Sequence, residues 1–360
     1  MRFEERQERI VARMQGDGLD AMLVTNLVNV CYACGYVGSN GIVLLAPERR
    51  VLFTDFRYVA VAARDTRGVE VIEAGRDLLE RTLEVLVAVP PGGRVGFEAE
   101  HTSVARHERL VAALPGLELV PTSGVVEGIR VRKEPEEIAA MSRAGEIADQ
   151  AFAACADGLF RGRSERDVAW ELEAVMRRAG AQRASFDVIV ASGVRGAQPH
   201  AVPSDEAIPR DTLVTVDMGA AVDGYASDCT RTFATGALPE TLERAYAVCL
   251  AAQERAVAAV RSGIAGGELD AVARDHITAE GFGDAFRHGV GHGVGLEVHE
   301  RPWARQGITD TIEAGMTITV EPGIYLDGIG GVRIEDLLFV TNDGAQVLTR
   351  FPKALLRVDS

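Results

Sequence analysis

Two segments in the second half of the 360-residue chain repeat the same pattern, at residues 214–231 and 319–336. Each begins as a strand that ends in an acid, followed by a turn residue and glycine, and each then contains an Asp-Gly pair, a strong signal for a hairpin turn. Each returns to a second acid. The four acids are Asp217 and Asp228 in the first segment and Glu321 and Glu335 in the second. This repeat predicts two pseudo-equivalent halves that face one another across a site lined by four carboxylates.

A glycine-rich segment between these two carries three of the seven histidines, His288, His292 and His299. Positions 289, 291, 293 and 295 are all glycine, although glycine is unfavourable inside helices and strands. We expect these glycines to let the backbone approach a bound ion or substrate closely.

The charge of the predicted site indicates its chemistry. Four convergent carboxylates without counter-charge would be strongly destabilising, because each would be desolvated beside like charges. Two divalent cations would balance them, and His292 would add an imidazole ligand. Oxygen-rich ligation with one imidazole suits Mn²⁺, Fe²⁺, Co²⁺ or Zn²⁺ and suits Ca²⁺ or structural zinc poorly. Two metals about 3.5–4 Å apart can share and activate a water molecule, which predicts hydrolysis.

Six blocks in this order resemble the pita-bread-fold metallopeptidases, which include methionine aminopeptidase, aminopeptidase P and prolidase. The blocks are Ser192-Gly193 with Pro199–Ala201, Val216–Gly219, Ser227–Thr232, His288–Gly295 with Val298–Glu300, Val320–Tyr325 and Val332–Asp336. The resemblance implies an α+β protein whose C-terminal domain has the pita-bread (creatinase/aminopeptidase) fold.

The N-terminal part has the character of a smaller α/β domain. Apolar runs at residues 21–24, 41–45 and 51–54 predict strands, and residues 57–64 and 77–89 predict helices. Residues 35–41 and 54–58 are similar to loops of the N-terminal creatinase-like domain in short bacterial Xaa-Pro aminopeptidases. Because a charged run at 130–137 begins a helix, we predict this domain over residues 1–126 and the catalytic domain over residues 127–360.

The resemblance also implies a role for each polar residue of the site. Metal ligation is implied for five residues, Asp217, Asp228, His292, Glu321 and Glu335. They would bind two divalent ions, with manganese as the first choice and cobalt, zinc or iron as alternatives. Glu321 would also be the general base and then acid, and His200 and His299 would stabilise the tetrahedral intermediate. Substrate contacts are implied for His288, Arg333 and Tyr58, with tethering of the carboxylate ligands as an alternative role for Arg333.

The implied activity is that of an aminopeptidase that cuts between an N-terminal residue and a following proline. A prolidase restricted to Xaa-Pro dipeptides is the first alternative, and it would need a basic group for the C-terminal carboxylate, such as Arg301 or Arg305. A creatinase-like hydrolase without metals and a non-catalytic binding protein of the same fold are the others. The complete set of ligands argues against both of these.

Composition limits the partners and the location. The net charge of −15 argues against a nucleic-acid-binding protein, which needs a basic surface. The chain has no run of 18 or more apolar residues, and its charged N-terminus lacks the apolar centre of a signal peptide, so we predict a cytoplasmic protein without membrane contact. Five cysteines form no disulfide framework, and Cys31 and Cys34 are expected to be buried structural thiols. A homodimer that binds peptides with proline at the second position completes the prediction.

Overall fold

A computed structural model describes residues 1–358 of the chain. The chain forms two compact units, Met1–Arg130 and Val131–Ser360, and the predicted boundary at residue 126 lies just before this division. Helices and strands both occur in each unit, as predicted for an α+β protein. Across residues 1–358, none of the helices combines the length and the apolar composition needed to cross a bilayer.

The N-terminal unit contains one six-stranded mixed sheet with helices around it. Its strands are β1 (Ala21–Val24), β2 (Gly41–Ala46), β3 (Arg49–Asp55), β4 (Glu70–Ala74), β5 (Arg94–Glu98) and β6 (Glu118–Thr122). Its helices are α1 (Phe3–Gly16), α2 (Leu27–Cys34), α3 (Val59–Asp65), α4 (Leu78–Leu86), α5 (Val104–Ala113) and α6 (Glu127–Arg130). The strand order is β4-β3-β2-β1-β5-β6. The central strands are buried on both faces, which explains why their sequences are continuous apolar runs.

The two cysteines of this unit are free thiols. Burial raises the pKa of Cys31, and it raises that of Cys34 to about 12. Cys34 Sγ donates to the carbonyl of Val30, 3.2 Å away. A thiol with a raised pKa is a poor nucleophile and a poor metal ligand. Cys34 is buried as expected, whereas Cys31 is only partly buried, and the structural role of the pair stays a prediction.

The C-terminal unit contains four long helices and several small sheets. The helices are α7 (Pro135–Ala156), α8 (Glu165–Arg178), α9 (Glu240–Ala259) and α10 (Gly266–Ala279). The strands before α9 are β7 (Arg183–Ala184), β8 (Ile189–Ser192), β9 (Leu213–Met218), β10 (Ala220–Val222), β11 (Tyr225–Ala226) and β12 (Cys229–Ala234). The later strands are β13 (Ile264–Ala265), β14 (Gly291–Gly293), β15 (Glu300–Ala304), β16 (Thr311–Ile312), β17 (Thr317–Val320), β18 (Gly323–Leu326), β19 (Gly330–Arg333), β20 (Asp336–Thr341) and β21 (Gly344–Val347). Short 3-10 turns lie at Gly193–Ala197 and Gly283–Ala285.

The two acid-bearing segments share one topology. In the first, β9 pairs with β12 and the hairpin β10–β11 lies between them. In the second, β17 pairs with β20 and the hairpin β18–β19 lies between them. Asp223-Gly224 and Asp327-Gly328 lie between the strands of these hairpins, where the backbone of Asp223, Gly224 and Gly328 has positive φ. The predicted repeat is therefore confirmed.

The two segments also face one another, because hydrogen bonds join them directly. The Glu335 amide donates to the carbonyl of Thr230 (3.1 Å), and the Thr232 hydroxyl donates to the carbonyl of Arg333 (2.8 Å). A separate pair of helices packs on each segment. Helices α7 and α8 pack on the first around residues such as Phe152 and Leu172, whereas α9 and α10 pack on the second around residues such as Leu269. Burial of each such large apolar side chain stabilises the fold by roughly 1.5–3 kcal/mol.

Candidate metal centre and active site

One cavity of the C-terminal unit, of about 710 Å³, brings together nine of the ten predicted site residues. This volume lies in the range of small-molecule sites. The nine are Asp217, Asp228, His292, Glu321, Glu335, His200, His288, His299 and Arg333. Tyr58 belongs to the N-terminal unit, where its hydroxyl bonds to Ser39 Oγ at 2.7 Å, and its substrate contact stays a prediction.

The predicted ligands lie at strand ends, where the two segments meet. Asp217 is the penultimate residue of β9, and Glu321 directly follows β17. Asp228 directly precedes β12, and Glu335 directly precedes β20. His292 is in the middle of β14, and its amide donates to the hydroxyl of Thr319 on β17 (3.0 Å). Asp217 pairs with Thr230 of β12 and with Ile189 of β8, and all four acids line the cavity.

Three of the five predicted ligands have ligand atoms close enough to share a cation. One ligand atom from each of Asp228, His292 and Glu335 lies within 4.8 Å of the others. His292 Nε2 is 3.2 Å from Glu321 Oε1 and 3.8 Å from Asp228 Oδ2. Asp217 Oδ1 is buried and has no hydrogen-bond partner among the described residues. An anionic oxygen buried in this way needs a cation, so the residues present fit a divalent metal site.

The protonation of the acids reflects this crowding. Burial, reinforced by the neighbouring acids, raises the pKa of Asp228 and of Glu335 well above the usual carboxyl value. Burial also raises the pKa of Asp217, although the positive charge of Arg333 opposes it. Burial acts in the same direction on Glu321, but the hydrogen bond and charge of His292 outweigh it and bring the pKa of Glu321 to about 2. Without cations, most of the cluster therefore resists ionisation.

The guanidinium group of Arg333 forms hydrogen bonds within the protein and links Asp217 to its neighbours. Its NH2 group donates to Asp217 Oδ2 (2.7 Å) and its Nε donates to the hydroxyl of Thr230 (3.1 Å). Its NH1 group donates to the hydroxyl of Tyr325 (2.9 Å) and to the carbonyl of Pro199 (3.2 Å). These contacts favour the tethering role of Arg333 over a substrate contact.

His288 is fixed in one tautomer by its neighbours. Its Nδ1 is 2.8 Å from the carbonyl of Gly289 and its Nε2 is 2.9 Å from the hydroxyl of Tyr325. A carbonyl can only accept, so Nδ1 carries the proton. Nε2 then accepts from Tyr325 as long as the ring is neutral, and burial favours that form by lowering the pKa of His288. Sequence reasoning included Tyr325 in a matched block but assigned it no role.

The two remaining histidines lie at the cavity wall. The ring centroids of His299 and His292 are 4.3 Å apart. Partial burial, followed by the charge of His292, lowers the pKa of His299, so its ring is neutral at pH 7. His200 is exposed and follows the 3-10 turn Gly193–Ala197. Their positions are compatible with donors to a bound substrate, and these roles stay predictions.

The glycines around His292 permit close packing within the protein. A Cβ atom at Gly291 would lie 1.9 Å from the carbonyl oxygen of Thr319, and one at Gly293 would lie 2.1 Å from that of Arg301. A Cβ atom at Gly295 would meet the carboxylate of Glu300 at 2.6 Å. These contacts are with the protein itself, so the glycines permit close packing of backbone around β14. Gly289 and Gly291 also line the cavity, and the expectation that they let the backbone approach an ion or substrate stays a prediction.

The two arginines proposed for a carboxylate differ in position. Arg301 forms an ion pair with Asp310 and, within the described residues, is not part of the cavity wall. Arg305 lines the cavity, and its guanidinium carbon lies 5.7 Å from the centroid of the Trp303 ring. Arg287 also lines the cavity and was missed, although it directly precedes His288 of the predicted site.

Comparison with known proteins agrees with these observations. Residues 139–342 match the family described as metallopeptidase family M24, and residues 6–132 match the creatinase/prolidase N-terminal domain. The Xaa-Pro dipeptidase of Pyrococcus furiosus is 36% identical over 356 residues, which cover 98% of this chain and 100% of that protein.

Solved structures are similar over the whole length. An Xaa-Pro dipeptidase from Bacillus anthracis has a TM-score of 0.93 and 39% identity, with 99% of this chain and 100% of that chain covered. An X-Pro aminopeptidase from Thermotoga maritima has a TM-score of 0.89 and 34% identity, with 98% and 100% covered. Both names occur among the relatives, but dipeptidases predominate. The aminopeptidase prediction is not confirmed, and the dipeptidase alternative is the better supported.

Proposed function

Since the chain belongs to metallopeptidase family M24, we propose that it is a metal-dependent exopeptidase that hydrolyses Xaa-Pro dipeptides. The observation that carries the choice of a dipeptidase is Arg305, a cation on the wall of the cavity that contains the acid cluster. The number of curated relatives and solved structures that are named as Xaa-Pro dipeptidases or prolidases supports the same choice.

Two divalent metal ions are part of the proposal, held by Asp217, Asp228, His292, Glu321 and Glu335. Manganese is the first choice, with cobalt, zinc or iron as alternatives, because all four accept mixed oxygen and imidazole ligation. When bound, these ions would supply charge for the scissile carbonyl and lower the pKa of water. The unpartnered oxygen of Asp217 and the raised pKa of its neighbours support this part of the proposal.

Glu321 would carry out the proton transfers, and two histidines would donate hydrogen bonds. Glu321 takes a proton from the attacking water as general base. The proline nitrogen of an Xaa-Pro bond carries no hydrogen, so it must gain a proton to leave as a secondary amine, and Glu321 returns its proton there. His299 and His200 donate to the carbonyl oxygen as negative charge develops on it.

Arg305 would recognise the free carboxylate that distinguishes a dipeptide from a longer peptide. A guanidinium can bind a carboxylate through two parallel hydrogen bonds. Its position over the Trp303 ring restricts the guanidinium before substrate binds. Arg301 cannot compete for this role while it is paired with Asp310.

An Xaa-Pro aminopeptidase is the second candidate, favoured by the similarity to the Thermotoga maritima enzyme. It would accept tripeptides and longer Xaa-Pro-Xaa substrates, whose carboxylate lies beyond the proline. The predicted homodimer and cytoplasmic location remain predictions, and light scattering of the purified protein tests the first of them.

The kcat/KM values for Xaa-Pro and Xaa-Pro-Xaa peptides with the same first residue distinguish the two candidates. We expect the dipeptide to be preferred, and Arg305→Ala to lower its kcat/KM by about 10- to 100-fold, the equivalent of one hydrogen bond to a charged group. The loss should lie mainly in KM, and the tripeptide should be affected much less. Arg301→Ala is the matched control and should change neither substrate.

A tripeptide that is cleaved as well as the dipeptide, with a ratio that Arg305→Ala does not change, would favour the aminopeptidase. No cleavage of either peptide by the manganese-loaded protein would contradict both candidates.

A further inference from the structure

Glu165, the first residue of α8, is a buried carboxylate outside the metal centre. It does not line the cavity within the described part of the chain, and the chemistry proposed above does not use it. Its pKa is nonetheless lowered: burial would raise it, but the hydrogen bonds from Ser204 and Ser192 outweigh burial. A charge kept in the interior needs an explanation, because burying an ionised group is costly unless it is fully hydrogen-bonded.

Five hydrogen bonds surround this carboxylate, and all come from one loop. Oε1 accepts from the amide (2.7 Å) and the hydroxyl (2.8 Å) of Ser192. Oε2 accepts from Arg195 Nε, the Ser204 amide and the Ser204 hydroxyl, each at 2.9 Å. Ser192 ends β8 and Ser204 lies twelve positions later, so Glu165 holds both ends of the intervening segment, residues 193–203.

The loop between these ends carries His200. Arg195 connects its two sides, since its Nε donates to Glu165 and its NH2 group donates to the carbonyl of Val202. Pro199 to Pro203 line the cavity. On the cavity side, the carbonyl of Pro199 accepts from Arg333, which also holds Asp217. The loop is therefore attached to the acid cluster at Pro199 and to α8 at its two ends.

We infer that Glu165 is a positioning residue for His200, because it fixes the ends of the loop that presents this histidine to the cavity. His200 is itself exposed, so burial of its side chain does not fix its position. The inference rests on the proposed function for its effect on turnover. A displacement of a catalytic group by about 1 Å can cost on the order of 100-fold in rate, so fixing this loop has a direct consequence for kcat.

Glu165→Gln is the sharpest substitution. It keeps the size of the side chain and one acceptor oxygen but places an NH₂ group against donors of the loop. We expect kcat to fall by about 10- to 100-fold, the range for groups that orient active-site residues, while KM and metal content change little. Asp167→Asn is the matched control. It removes a carboxylate from the same first turn of α8, where the Asp167 side chain accepts hydrogen bonds from Ser164.

A double substitution tests whether the effect passes through His200. In a His200→Ala background, Glu165→Gln should lower kcat by less than about 2-fold, because coupled residues are not additive. An equal loss in both backgrounds would overturn the inference, since Glu165 would then act on something other than His200.

Hydrogen exchange tests the loop without reference to activity. Amides of residues 193–204 should exchange faster in Glu165→Gln than in the wild type, while those of residues 288–295 should be unchanged. If the wild-type protein cleaves no Xaa-Pro peptide, the proposed function fails but this measurement still decides the inference. Unchanged exchange at 193–204 would overturn it. Should Glu165→Gln fail to fold, Ser204→Ala removes one donor to Glu165 and permits the same three measurements.

Discussion

Neighbouring acids of the cluster have pKa values that are shifted in opposite directions. Glu321 lies 3.2 Å from His292 Nε2, and this contact helps to bring its pKa to about 2. Glu335 accepts a hydrogen bond from the Thr230 hydroxyl (2.7 Å), yet burial and the surrounding acids raise its pKa well above the usual value. An ionised Glu321 is the state that a general base requires before each turnover.

Glu321→Gln should abolish turnover while the protein stays folded. The amide is nearly isosteric and can still offer an oxygen, but it cannot take up a proton. General acid–base catalysis contributes typically 10²–10⁴-fold, so we expect kcat to fall by at least about 100-fold. Steady-state kinetics and circular dichroism measure the two parts. Glu254→Gln, at an exposed position on α9, is the control, and a near-native kcat for Glu321→Gln would show that another group is the base.

His299→Ala and His200→Ala should lower kcat more than they raise KM. Both side chains are proposed to donate to charge that develops in the transition state, and loss of such a donor costs about 2.7–4 kcal/mol. Kinetics on one Xaa-Pro substrate give the two parameters separately. His276→Ala, on α10 and away from the cavity wall in the described chain, should leave both unchanged. An effect on KM alone would identify these histidines as substrate-binding groups.

Secondary-structure elements place the ligands through close backbone packing. β14 carries His292 and lies directly against β17, whose end leads to Glu321. The contact is so close that a Cβ atom at Gly291 would come within 1.9 Å of the Thr319 carbonyl oxygen. The Glu321 amide donates to the carbonyl of Val290 (2.8 Å), which joins the same two segments beyond the strands. The distance between His292 and Glu321 is thus determined by how two strands pack.

Gly291→Ala should therefore destabilise the protein and weaken metal binding. A backbone carbonyl cannot move aside as a flexible side chain would, so we expect a loss of about 3 kcal/mol, the upper end of the range for overpacked interiors. Chemical denaturation measures the free energy of unfolding, and titration with Mn²⁺ measures the affinity. Gly116→Ala is the control, because among the described residues no atom beyond its chain neighbours lies within 4 Å of an added Cβ. Wild-type stability in Gly291→Ala would contradict the packing explanation.

The stability of the whole molecule depends on pH through the buried acids of the cluster. Because burial and mutual repulsion raise the pKa of Asp228 and Glu335 in the folded chain, their contribution to stability is complete below the unfolded carboxyl pKa. That contribution is lost as the pH rises toward the folded pKa. Cations reverse this loss, and they bind better at high pH because they compete with protons for the same oxygens.

The stabilisation by metal should consequently increase with pH. At a free Mn²⁺ concentration of about 100 times Kd, binding adds about 2.7 kcal/mol, which raises Tm by roughly 3–4 °C for a protein of this size. We expect that gain at pH 8 and a smaller one at pH 5.5, measured by thermal unfolding with Mn²⁺ and with chelator. Elemental analysis should give two ions per chain. A gain that does not depend on pH, or a single bound ion with full activity, would argue against the five-residue dinuclear centre.

The sequence by itself predicted the repeated hairpins, which the structure confirms, and the chemistry of the site, which stays a prediction. Their signals are local: an acid at the end of a strand, a turn glycine after it and an Asp-Gly pair. The requirement for cations follows from counting charges, which needs no coordinates.

Only the tertiary structure decided which polar side chains are hydrogen-bonded or ion-paired within the protein and which face the cavity. Arg333 and Asp217 are 116 positions apart, and the tethering role implied for Arg333 did not specify which carboxylate it would hold. The same holds for Tyr325 between His288 and Arg333 and for the choice of Arg305 over Arg301. Sequence analysis did not consider Glu165, and the role inferred for it rests on five donors that lie 27 to 39 positions away. Local patterns determine the elements and the reactive groups, whereas contacts between distant segments determine what each group does, because they depend on how those segments pack.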